Sequence, residues 1–436
     1  MSSSSENLLQ IMDLHGSLGS PVSESMNFLN EVAQRYPDAV SLAAGRPFEG
    51  YFDLDAIPRY LDTFRRHLTS ELGGDEAAVT RTILQYGRTK GIIHGLIAEN
   101  LRIDEGIVAD PESIVVTVGC QEALYLTLRA LRRTEKDVLL AVTPTYVGAH
   151  GAAQLVDMPV LPVRESDAGI DLDDLVAVVE RARAAGQNPR ALYVIPDFAN
   201  PSGASLSRQT RLDLLRIAQE HDFLVLEDNP YGLFGDGAGL PTLKSLDGDE
   251  RVVYLGSFAK TGIPGARVGF AVAGQRVAVA GGGTESLADQ LAKVKSMLTV
   301  NTSPIAQAVI GGKLLENGCS LRTANEREIR TYQDNLRRML KGLSERFGQD
   351  GAPQVSWNTP GGGFFLVVTV PFAAGDDLLE LSAQRHRVLW TPMHHFYADS
   401  RPRNQIRLSF SHLLAPEIEA GLDRLADFVR EQSAGR

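Results

Sequence analysis

Between about residues 110 and 275, short runs that are apolar on both faces alternate with amphipathic stretches of helical period. Ile114 to Val118, Val138 to Val142, Ala191 to Ile195, Phe223 to Glu227 and Val252 to Leu255 read as buried strands. Glu122 to Arg133, Asp171 to Ala185 and Arg208 to His221 read as the helices between them. A strand buried on both faces needs a layer on each side, and helical crossovers supply both. The pattern predicts an α/β fold with a mainly parallel sheet sandwiched by helices. Ligands of such sheets collect at the carboxyl ends of the strands, so residues just past each strand are the candidates for chemistry.

The flanks read differently. Val22 to Ala33 predicts a helix and Val40 to Ala43 a short strand ahead of Gly45-Arg46-Pro47. Leu287 to Met297, Pro304 to Leu315, Ala324 to Phe347, Asp376 to His386 and Glu417 to Glu431 predict helices. Gly361-Gly362-Gly363 leads into a strand at Phe364 to Leu366, and Ile406 to Phe410 is another. These elements suggest a second, smaller α/β domain. The expected division is 1–50 (N-terminal arm and small-domain segment), 51–300 (large domain) and 301–436 (interdomain helix and small C-terminal domain). Residues 1–20 read as a mobile or partner-docking arm, and 281–286, Gly-Gly-Gly-Thr-Glu-Ser, as a flexible loop.

A chain of 436 residues with 43% hydrophobic and 22% charged content fits a soluble globular protein of two or three domains. Its net charge of -11, from 43 basic and 54 acidic residues, argues against nucleic-acid and acidic-membrane partners. No apolar run reaches the roughly 18 residues of a membrane-spanning helix, and no basic-then-apolar leader opens the chain. Two cysteines, Cys120 and Cys319, offer neither a disulfide framework nor a metal cluster and fit a reducing cytoplasm. His394 and His395, adjacent in sequence, do not have a metal-binding spacing, and no metal is expected.

The stretch Ser257-Phe258-Ala259-Lys260-Thr261-Gly262-Ile263-Pro264-Gly265-Ala266-Arg267 places one lysine between a small polar turn and a Pro-Gly break followed by an arginine. A neutral lysine amine is a nucleophile toward an aldehyde. Ser257 and Arg267 can offer a hydroxyl and a fixed guanidinium to a phosphate. An aldehyde that carries a phosphate is pyridoxal 5'-phosphate. A lysine in a glycine-rich surface loop is the competing reading, and five other segments weigh against it.

Thr117-Val118-Gly119-Cys120-Gln121 runs from strand into helix, where free N–H groups favour an anion. Pro144-Thr145-Tyr146 puts an aromatic ring at a strand end, where it can stack on a pyridine ring. Asn200-Pro201-Ser202-Gly203 is a turn former whose Asn amide can donate to a ring oxygen. Glu227-Asp228-Asn229-Pro230-Tyr231 follows an apolar strand, and a carboxylate there can keep a pyridine nitrogen protonated. Arg407 interrupts an apolar strand, and a buried guanidinium needs a partner: a substrate carboxylate or an internal salt bridge.

With these segments in this order, the chain from about residue 22 onward resembles the fold-type-I pyridoxal-phosphate enzymes of the class I/II aminotransferase group, nearest the kynurenine/2-aminoadipate aminotransferase branch. The resemblance implies a large domain with a seven-stranded, mainly parallel sheet and a smaller C-terminal domain. It implies that Lys260 takes the cofactor aldehyde and later carries the proton. Asp228 would partner the ring nitrogen, Tyr231 and Asn200 its phenolic oxygen, and Tyr146 its face. Gly119, Cys120, Gln121, Ser257 and Arg267 would hold the phosphate. Tyr86 would reach that phosphate in a second copy of a homodimer. Arg407 would clamp the substrate α-carboxylate, with Asn200 also on the substrate side and Gly45 against the substrate. Ala259 stands where relatives often carry serine, removing one phosphate hydroxyl. Pro392-Met393-His394-His395-Phe396-Tyr397 should line the substrate side, with Met393 altering specificity.

These parts imply transamination between an L-amino acid and a 2-oxo acid by ping-pong kinetics. Val388 to Met393 and Met12 to Gly16 resemble transaminases that make arylglycines for nonribosomal peptide antibiotics, among them the 3,5-dihydroxyphenylglycine transaminases. An aromatic, 2-aminoadipate or guanidino keto-acid aminotransferase is equally compatible, as is an oxidase, decarboxylase or synthase on the same scaffold. Regulators that join a winged helix to this fold need an extra N-terminal domain, and the acidic balance opposes DNA binding. A cofactor-free relative is hard to reconcile with Lys260, Asp228, Tyr231 and Arg267 together.

Overall fold

The central sheet has seven strands, in the order Ile114–Thr117, Gly269–Val272, Val252–Ser257, Leu224–Asp228, Asn188–Val194, Asp137–Thr143 and Val160–Arg164. Gly269–Val272 runs antiparallel to both neighbours and every other pairing is parallel. The computed structural model describes residues 8–434 apart from 167–168, 238, 349–352 and 400. Apart from the edge strand Val160–Arg164, the strands are buried almost throughout because helices cover both faces, with Leu126, Leu139 and Leu226 in one cluster and Leu140, Val179 and Leu214 in another. Crossover helices start where the sequence supplies caps: Asp171 accepts from Asp174 N–H and Ser207 from Thr210 N–H.

A second sheet of four antiparallel strands comprises Ser356–Trp357, Phe365–Ala374, Arg403–Ser409 and Thr391–Pro392. The long helices Glu326–Phe347 and Ala415–Ala434 pack on it, around Trp390, Phe410 and Phe428. The N-terminal helix Pro21–Arg35 leads to the strand Val40–Ser41, shorter than expected, which pairs in parallel with Val388–Leu389. Residues 1–7 of the expected arm lie outside the described residues; 8–20 form two 3-10 turns with Leu8, Leu9 and Met12 exposed.

Two expectations need correction. Residues 281–286 are not simply a loop: Gly283–Ser286 pairs with Arg276–Val279 as a hairpin turning at Gly281 and Gly282, both at positive φ. The strand escapes a hydrophobic pattern because the hairpin is mostly exposed. The helix expected over about Ala324 to Phe347 is present as Glu326–Phe347, separated from the short helix Leu321–Ala324 by Asn325, whose amide donates to the carbonyls of Thr261 and Leu321, both at 2.8 Å. The Asp376 helix stops at Leu381 and continues as a π-turn over Ser382–His386. The helices Ala56–Glu71, Glu76–Leu84 and His94–Glu105 fill a stretch to which the sequence pattern assigns nothing. Among the described residues no helix is long and apolar enough to cross a membrane.

Candidate active site

The carboxyl ends of Ile114–Thr117, Leu224–Asp228 and Val252–Ser257 meet the four-stranded sheet around a cleft of about 430 Å³. Lys260 stands just past Val252–Ser257, on a turn in which Ser257 Oγ accepts from the Ala259 N–H at 3.1 Å. Lys260 Nζ donates to the Gly45 carbonyl at 2.8 Å. Burial, then the guanidiniums of Arg407 and Arg267, lower its amine from 10.5 to about 8, against the opposing pull of Asp228. The nucleophile is thereby brought within reach of its neutral form near physiological pH.

Strand alternation separates two adjacent carboxylates. Glu227 turns away and accepts the N–H groups of Leu243 and Lys244 at 2.8 and 2.7 Å. Asp228 faces the cleft, accepting the Tyr193 hydroxyl at 2.7 Å and Cys120 Sγ at 3.5 Å. Burial raises Asp228 to about 6, resisted by those two bonds and by Lys260. Tyr193 is absent from the sequence reading. Its signal is register: it pairs with Leu226, whose face Asp228 shares two residues on.

Gly119 opens the helix Gly119–Leu131 with φ +71, and a Cβ there would strike the Arg267 guanidinium. Arg267, itself at φ +52, therefore stands at a helix N-terminus whose first amides lack intrahelical partners. Two positive features at one point suit a dianion. Cys120 and Gln121 line the same corner. The Gln121 side chain, however, donates to the Gly148 carbonyl at 2.7 Å, so it braces the turn carrying Tyr146. The backbone N–H of Gln121 lies in the first turn of the helix, where amides lack intrahelical partners. Ala259 lines the cleft without a hydroxyl.

Tyr146 precedes the helix Val147–Leu155 and lines the cleft, its phenol held above the ordinary range by burial. Tyr231 is 4% exposed, with its ring 5.2 Å from Phe364 and 5.7 Å from Phe365. Asn200 hydrogen-bonds the Tyr231 phenol and accepts from Arg407 Nη1 at 2.5 Å.

Arg407 lies in Arg403–Ser409 opposite Val367 and Thr391. Its Nη2 donates to the Ala43 carbonyl at 2.9 Å and Thr391 Oγ1 at 3.2 Å, and its guanidinium covers the rings of Phe365 and Phe396 at 4.1 and 4.9 Å. Among the described residues no carboxylate pairs with it, which removes the internal salt bridge as its explanation. Burial alone lowers it to about 10. A buried cation held only by neutral acceptors favours an incoming anion.

Gly45 lies under the Phe365 ring, where a Cβ would collide, and its carbonyl borders the cleft. Tyr86 is apart from this cleft, with 80% of its surface exposed. Met393 also departs from expectation: it is buried beside Val147, Val367 and Phe396, and Phe396 is the residue of its segment that reaches the cleft. Arg46 and Val32 line the cleft and have no counterpart in the sequence reading.

A phosphorylated aldehyde fits this cradle, because the helix start can take the phosphate only with glycine at 119 and Lys260 lies across from it. The profile of aminotransferases of class I and II matches residues 50–425. The chain is 56% identical over 422 residues to (S)-3,5-dihydroxyphenylglycine transaminase of Amycolatopsis orientalis, covering 97% of this chain and 94% of that one. It is 32% identical over 348 residues to 2-aminoadipate transaminase of Thermus thermophilus, covering 78% and 80%. Among solved structures it resembles a Pyrococcus horikoshii kynurenine aminotransferase solved with PMP, with TM-score 0.76, 27% identity and coverage of 99% and 97%.

Proposed function

The chain belongs to the aminotransferases of class I and II, and on that premise we propose that it passes the amino group of an L-amino acid to an aryl-substituted 2-oxo acid, making an arylglycine. It is a pyridoxal-phosphate-dependent transaminase. The observation that carries the substrate class is the likeness, along nearly the whole chain, to a transaminase named for a dihydroxyphenylglycine. Apolar and aromatic cleft walls, Val32, Ile195, Phe365 and Phe396, support an aryl side chain.

When bound, pyridoxal phosphate supplies an aldehyde for amines and a ring that accepts the charge left when Cα loses its proton. The protein's part is assigned as follows. Lys260 Nζ would hold the cofactor until the amino group of the substrate displaces it, and the freed amine would then carry the proton from the substrate Cα to the carbon that had been the cofactor's aldehyde. Asp228, positioned by Tyr193, keeps a proton on the ring nitrogen. Tyr231 and Asn200 donate to the ring oxygen, and Tyr146 covers the ring face. The amides from Gly119 to Gln121, with Ser257 and Arg267, grip the phosphate. Arg407 takes the substrate carboxylate above Gly45 and so aims Cα-H at Lys260.

A homodimer completes the proposal. Tyr86, Leu84 and Met297 are exposed at 80%, 69% and 87%, as are the apolar residues of the 8–12 arm, and a second copy would cover them. Tyr86 would then serve the neighbouring phosphate site. The free thiols of Cys120 and Cys319 support a reducing, cytoplasmic setting. The test is a mass-spectrometric screen of 2-oxo acids, including 3,5-dihydroxyphenylglyoxylate, against glutamate and aromatic donors. Turnover of aliphatic acceptors with none of the aryl compounds would refute the substrate class.

A further inference from the structure

Asp376, His394 and His395 lie outside the cleft and meet at one point. We propose that they form a site for one divalent cation of the zinc class. His395 Nε2 is 2.8 Å and His394 Nε2 3.6 Å from the same oxygen, Asp376 Oδ1, and one ligand atom from each residue lies within 4.8 Å of the others. Zinc bonds of about 2.0–2.1 Å put neighbouring ligand atoms roughly 3.3 Å apart on a tetrahedron. The two separations from Asp376 Oδ1 straddle that edge, and the third edge, between the rings, is no longer than 4.8 Å.

The surroundings favour a metal over a purely protonic arrangement. The two imidazoles stack at 4.1 Å between centroids, tilted by 36°, with Phe28 5.1 Å beyond His395. Two imidazolium rings so placed would repel, and both histidines are buried. One ion can take a lone pair from each Nε2 in place of a proton on either ring, and His394 Nδ1 is buried without a hydrogen-bond partner among the described residues. Ser25 Oγ lies 2.7 Å from His395 Nδ1 and can accept its proton, which turns the Nε2 lone pair toward Asp376. This is the outer-shell contact that metal-binding histidines usually carry. Asp376 is half exposed, which leaves an entry path and a position for water. Sequence spacing hides the site because the carboxylate comes from a different segment.

Nitrogen and carboxylate ligands in a three-residue set suit zinc, and cobalt is its spectroscopic stand-in. The test uses tag-free holoenzyme, chelator-treated and dialysed. Zinc titration by calorimetry should give one ion per protomer, and cobalt should give visible bands of a four- or five-coordinate ion. Saturating zinc should also raise Tm. Asp376→Asn and His395→Gln should each weaken binding by more than the roughly 10–100-fold typical of outer-shell partners, and Ser25→Ala by an amount within that range. Absence of stoichiometric binding, or binding unchanged in Asp376→Asn, overturns the site. Asp376 is half exposed, so its variant decides the question even where His395→Gln fails to fold.

Discussion

The Tyr193 hydroxyl donates to Asp228 Oδ2 at 2.7 Å, joining neighbouring strands of the central sheet at the floor of the cleft. The bond favours the charged carboxylate in a place where burial works against it. Tyr193→Phe should therefore cost about 1.5–3 kcal/mol of the stabilisation of that charge, the usual worth of a hydrogen bond to an ionised group. The expected outcome is a kcat/KM lower by roughly 10–100-fold with little change in Tm. Steady-state kinetics and a melting curve decide it, and an unaltered kcat/KM would remove Tyr193 from the site.

Lys260→Ala should abolish covalent capture of pyridoxal phosphate. Borohydride reduction followed by peptide mass spectrometry should mark Lys260 in the parent protein and no residue in the variant.

The pH dependence of that capture follows from the amine. Only its neutral form attacks, so the rate should climb as pH passes about 8 and level off above it. The Arg407 guanidinium disfavours the protonated lysine and so helps to lower its pKa. Arg407→Gln should move the midpoint to higher pH. A midpoint that stays put, or falls, contradicts the coupling.

Arg407→Lys keeps the charge and loses the planar fork. KM for every amino donor should rise by roughly 10–100-fold, the worth of one charge-assisted hydrogen bond, with a smaller change in kcat. Equal KM values for donors and their decarboxylated amines in the parent enzyme would argue against a carboxylate clamp.

Tyr86 can be tested by complementation. Tyr86→Ala should weaken cofactor retention while Lys260→Ala stays inactive. Mixed at limiting cofactor, the two should form hybrid dimers with one site carrying both an intact Lys260 and an intact Tyr86, and activity should exceed the sum of the parts. No gain on mixing would place Tyr86 outside the neighbouring site.

The sheet was legible because its strands are apolar on both faces, and the site because chemistry follows strand ends; Asp228 and Lys260 both obey that rule. Tyr193 was not legible, because a tyrosine within a core strand looks like packing until the register sets it beside Asp228. The burial of Met393 was not legible, because position along the chain puts it near the cleft while its side-chain direction depends on its partners Val147 and Val367. The short helix Leu321–Ala324 ahead of Asn325 was not legible, because four residues are too few to show a helical period.

Asn325 has a mechanical consequence. The Asn325 amide grips the Thr261 carbonyl, one residue beyond the nucleophile, and begins a helix of 22 residues that runs out along the four-stranded sheet. The start of that helix and the turn that carries Lys260 are thus tied through one carbonyl oxygen, so a substitution at Asn325 should reach the position of the amine from outside the cleft.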